Sequence, residues 1–121
     1  MYPLELIVAN KNVTLDDLKK KFVYSDGVEL DDGVTRCAAT TSTVKYKGKD
    51  TYGCLVKYNY PDPEAESKTL DLIDSASHEA THVLLDTYHF IDDTVCTKHQ
   101  EPAAYYMGWI TTNIYRTWTK K

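Results

Sequence analysis

The stretch from Asp62 to about Phe90 constrains this chain more than any other, because after Pro63 it runs to residue 90 without a glycine or a second proline. Asp62 suits an N-cap and Pro63 the first helical position, while Glu64 and Glu66 sit where the positive end of a helix dipole favours them. Leu72, Ile73, Ala76, Ala80, Val83 and Leu84 recur at three- and four-residue spacing. The pattern predicts one long amphipathic helix.

Inside that helix lies His78-Glu79-Ala80-Thr81-His82. Residues four apart are stacked on one helical face, so both imidazoles can reach a single cation while Glu79 projects beside them. Two histidines and a glutamate at this spacing are the pattern of a catalytic zinc site. Zinc lowers the pKa of its bound water to about 7, and a nearby carboxylate then takes the proton as that water attacks a carbonyl. His78 and His82 are thus candidate ligands of Zn2+ and Glu79 the candidate general base.

A catalytic zinc takes three protein ligands, and Glu101 is the expected third. Eighteen residues separate it from His82, enough for the first helix to end, a loop to turn through Asp92-Asp93-Thr94 and a second helix to return antiparallel. On that helix Glu101, Ala104, Tyr105, Gly108 and Thr112 share a face, and Ala104 and Gly108 are small enough for close helix approach. The alternative is that Glu101 is a helix-start carboxylate favoured only by the dipole.

With these residues the chain resembles the gluzincin zinc peptidases, whose pattern is His-Glu-x-x-His followed by a glutamate on the next helix. Its spacing is similar to that of the aminopeptidase N family, and Glu101-Pro102-Ala103-Ala104-Tyr105-Tyr106 looks like the segment following that family's third ligand. The resemblance covers about residues 62 to 118. It implies that His78, His82 and Glu101 bind zinc and that Glu79 is the base of a peptidase. Asp86, four residues after His82, is then a candidate for orienting an imidazole, with Asp74 an equal competitor at His78. Tyr105 or Tyr106 would serve as an oxyanion donor. Short phage and mobile-element proteins with a similar His-Glu-x-x-His segment and a later Glu-Pro-x-Ala-Tyr run also resemble it.

The departures matter as much. The strand before the helix reads Thr51-Tyr52-Gly53-Cys54-Leu55-Val56-Lys57-Tyr58 in place of a Gly-x-Met-x-Asn segment, so aminopeptidase specificity is not implied. A metzincin needs glycine and histidine three and six residues after the second ligand, where this chain has Leu85 and Tyr88. His89 and His99 are expected to be structural histidines.

A chain of 121 residues with 42% hydrophobic and 26% charged residues suits one folded domain, here a single zincin-like domain over 1–121. The net charge of -4 and lack of a basic cluster argue against nucleic acid as partner. Cys37, Cys54 and Cys96 form no CxxC knuckle and are expected to be buried free thiols. No basic-then-apolar leader and no membrane-length apolar run is visible, which sets a cytoplasmic expectation and no membrane partner.

Upstream, Leu4 to Ala9 reads as a strand, and Thr14 as the cap of a helix with Leu15, Leu18 and Phe22 on one face. Ser25-Asp26-Gly27 and Asp31-Asp32-Gly33 read as turns. Val34–Tyr46 and Thr51–Tyr60 read as a hairpin joined through Lys47-Gly48-Lys49-Asp50, with Tyr52, Cys54, Val56, Tyr58 and Tyr60 alternating onto one face. The expected architecture is α+β: a small antiparallel sheet with one early helix, backed by two long C-terminal helices that carry the zinc site. Two functions follow: a zinc peptidase acting on a peptide or protein substrate, or a non-catalytic zinc-bearing interaction module such as a phage or mobile-element regulator.

Overall fold

Alternation along residues 52–58 builds the middle of the molecule. The computed structural model describes residues 4–59 and 66–120, and in it β4 (Tyr52–Tyr58) sends Tyr52, Cys54, Val56 and Tyr58 into one core and Leu55 into another. Both faces of this strand are covered, which is why it reads as nearly continuous burial. The expectations for Tyr60, Asp62, Pro63 and Glu64 lie outside the described residues.

Among the described residues the sheet has four strands in the order β1-β4-β3-β2, with β1 (Glu5–Ala9), β2 (Phe22–Tyr24) and β3 (Ala39–Tyr46). β3 and β4 form the expected antiparallel hairpin, in register from Ala39 opposite Tyr58 to Lys45 opposite Tyr52. The expectation of a wholly antiparallel sheet is corrected, because β1 runs parallel to β4 and makes the sheet mixed. Strand β2 was not expected; α1 (Leu15–Lys21) ends at Phe22, where the chain turns extended and pairs with Tyr46. The first residues of the predicted strand from Val34 instead belong to a 3-10 turn, Asp32–Thr35, capped by the Asp31 side chain.

One layer packs on each face. The short helix α1 starts at a capping box in which the Thr14 hydroxyl accepts from the Asp17 amide and the Asp17 carboxylate accepts from the Thr14 amide. It buries Leu18 with Phe22, Leu30, Val34, Val44 and Leu55. The opposite face carries α2 (Glu66–Phe90) and α3 (Glu101–Trp118), whose Leu72, Ala76, Ala80, Val83, Tyr106, Ile110, Ile114 and Trp118 close over Cys54, Val56 and Tyr58. Two members of the predicted band are not in this core, since Ile73 is exposed and Leu84 only partly covered.

The face predicted to seat α3 on α2 is corrected too. Glu101, Ala104, Tyr105, Gly108 and Thr112 all look outward, and a Cβ built on Gly108 would meet nothing within 4 Å. The buried stripe is Ala103, Tyr106, Ile110, Ile114 and Trp118, because large apolar side chains gain more from leaving water than alanine and glycine do. Of the three free cysteines only Cys54 is buried; Cys37 and Cys96 are exposed, which corrects that expectation. Among the described residues no helix is long and apolar enough to cross a membrane.

Candidate metal centre

Helix α2 divides its surface by register. Leu72, Ala76, Ala80, Val83 and Thr87 make the buried stripe, so His78 and His82 are carried to the solvent side and both are exposed. Their rings lie on successive turns with centroids 5.0 Å apart, nearly edge to face. Residues four apart on a helix are the spacing at which two imidazoles can be presented to one cation.

Glu79, next to His78 but turned toward the sheet, is only 6% exposed. A buried carboxylate needs hydrogen-bond donors, and one comes from β3: the Thr41 hydroxyl donates to Glu79 Oε1 at 2.9 Å. The other oxygen, Oε2, lies 3.9 Å from His78 Nε2. Strand β3 thus fixes one carboxylate oxygen and leaves its partner on the side of His78. Nothing in the sequence marked Thr41, whose role depends on how the strand lies over the helix. Thr41→Val keeps the shape and deletes the donor, so it is expected to lower stability by about 1–3 kcal/mol. An unchanged urea midpoint would show the bond to be dispensable.

Glu101 is not brought to this place. The hydroxyls of Thr87 and Tyr106 lie 3.2 Å apart and set the level at which the antiparallel helices cross. Glu101 is five residues before Tyr106 and His82 five before Thr87, so the two are displaced in opposite directions by a combined distance of about 15 Å along the axis. Glu101 is exposed at the first turn of α3, the position the dipole favours. Among the described residues no group of three or more His, Cys, Asp or Glu could hold a metal ion. A zinc would therefore find two nitrogen ligands on α2 and no third protein ligand from Glu101.

The remaining candidates separate in the same way. Tyr106 is buried with its hydroxyl beside Thr87, whereas Tyr105 is 74% exposed, and neither belongs to the histidine pair's surroundings. Asp74 is exposed. Asp86 is half-buried on the flank of α2 that faces β3, where burial raises its pKa while His82 and His89 pull it down. Of the two aspartates, Asp86 is the one whose charge is felt by His82.

Beside Glu79 the sheet has an edge that no strand covers among the described residues. On its β3 side strand β2 covers Val44–Tyr46, and the Ser25 amide adds a bond to the Thr43 carbonyl. Because backbone groups alternate in an antiparallel ladder, Thr41 turns its N–H and C=O to the same side as Thr43. Among the described residues no backbone hydrogen bond reaches them there. Comparison with protein-family models, with curated proteins and with solved structures found no match.

Proposed function

We propose that this chain is a zinc-dependent peptidase in which His78 and His82 supply two of the three protein ligands usual for a catalytic zinc and Glu79 is the general base. The observation that carries the reading is the division of labour within one carboxylate, with Oε1 held by Thr41 and Oε2 facing His78 at 3.9 Å. Zinc, when bound, supplies Lewis acidity toward a carbonyl and lowers the pKa of a water. Glu79 Oε2 accepts the proton of the attacking water and hands it to the departing amine, while Thr41 keeps the carboxylate from swinging away. Main-chain groups of Thr41 on the open edge of β3 receive an extended peptide by hydrogen bonds, next to the helix that carries the base.

The placement of Glu101 favours a second reading, a non-catalytic zinc-bearing interaction module whose metal sits on α2 alone. Two measurements test the first. Calorimetric titration with zinc is expected to show His78→Ala and His82→Ala each weakened by upward of about tenfold, with Glu101→Ala unchanged, since only ligands of the folded site contribute. Loss of zinc in Glu101→Ala would return that glutamate to the ligand set. Zinc-loaded protein is expected to cleave members of a diverse peptide library, to stop with chelator and to recover with added zinc. A library left intact at all metal loadings overturns the peptidase reading.

A further inference from the structure

A groove of about 430 Å³ opens where β2 ends and is lined by Ser25, Thr43, Tyr52, Asp86, His89 and Phe90. Its size falls within the range of sites that enclose a ligand group, about 300–1,000 Å³. The rings of Tyr52 and Phe90 stand 5.4 Å apart at 45° and give it an aromatic wall. Asp86 supplies a carboxylate that is half-buried yet accepts no hydrogen bond among the described residues. Half-buried carboxylates without donors are costly, and a cationic donor entering the groove would relieve that cost.

The groove continues the open strand edge. Thr43, whose carbonyl is the last on β3 to be bonded from the β2 side, is also a lining residue. A strand added outside Thr41 would run toward Ser25 and send alternate side chains toward α2, as Thr41 and Thr43 themselves point. A strand so placed would bring one such side chain toward the groove.

Resting on the proposed peptide-binding edge, we infer that this groove is a specificity pocket for an arginine or lysine side chain of the bound peptide. Its ammonium or guanidinium meets the Asp86 carboxylate and its stem lies against Tyr52 and Phe90. Cations are attracted both to the carboxylate and to aromatic faces within about 6 Å, whereas an acidic side chain would meet like charge. The net charge of -4 favours the same class of partner.

The test uses fluorescein-labelled, capped peptides of alanine and serine with one central Arg, Lys, Met or Glu, read by anisotropy at pH 8 with EDTA present. With chelator present the measurement reports docking without hydrolysis. A failed peptidase reading therefore leaves this result untouched, and the reverse also holds. The Arg and Lys peptides are expected to bind about tenfold tighter than Met, with Glu weakest. Asp86→Asn, nearly isosteric, is expected to erase the difference between Arg and Met. Phe90→Leu keeps apolar volume without a ring and is expected to reduce the Arg preference in part. No peptide binding, no preference for the cations, or a preference that survives Asp86→Asn each overturns the inference.

Discussion

Glu79→Gln is expected to bind zinc like the parent chain, to keep its melting temperature and to lose peptide hydrolysis by about a hundred- to ten-thousandfold, the usual contribution of a general base. The structure makes this substitution unusually clean. Glutamine has the same length, and its amide oxygen can still accept the bond that Thr41 donates to Oε1. What changes is the atom facing His78, which becomes an amide nitrogen unable to take a proton. Rate measurements on zinc-loaded protein, with metal content determined in parallel, decide the matter. Equal turnover by Glu79→Gln and the parent would remove Glu79 from catalysis. In the module reading, by contrast, Glu79→Gln leaves the biological effect intact and the histidine substitutions abolish it.

A second pair of substitutions separates the two faces of α3. Ile110→Ala is expected to cost about 2–5 kcal/mol, because Ile110 is wholly buried beneath the sheet and its neighbours cannot fully close the space it leaves. Gly108→Ala, two residues away, is expected to stabilise by about 0.5–1 kcal/mol: its new methyl meets nothing within 4 Å and alanine favours a helix interior over glycine. Had Gly108 been the point of closest helix approach, the methyl would have forced α2 and α3 apart. Urea unfolding of both variants measures the contrast, and a destabilised Gly108→Ala would contradict the outward placement of that face.

The parts of this fold written in local pattern were legible in the sequence. The β4 alternation, the turn at Lys47–Asp50, the Thr14 cap and the helical run through His78 and His82 each depend on neighbours a few residues away, and each is present. What failed depends on partners distant in the chain. The parallel pairing of β1 has no turn to announce it. The seating of α3 turned on which of two overlapping three-and-four stripes is buried, and reading small residues as a seam gave Glu101 an inward face that Tyr106, Ile110 and Ile114 take instead. The histidine spacing was readable because it is a property of one helix. The support of Glu79 by Thr41, 38 residues earlier, was not, because it requires knowing that β3 crosses over α2.

The parallel strand has a consequence for the order in which the molecule assembles. β3 and β4 are joined by a short turn and can zip together as soon as both exist, but Glu5 must find Gly53, 48 residues later, to start the β1 ladder. Closing a long loop loses more chain entropy than closing a hairpin, so the hairpin is the natural nucleus and β1 a late arrival. Until β1 docks, β4 is itself an edge, presenting the run Cys54-Leu55-Val56 with unpaired backbone groups. That interval is when the chain is most exposed to pairing with another copy of itself, and the first strand ends it by occupying the place an intruding strand would take.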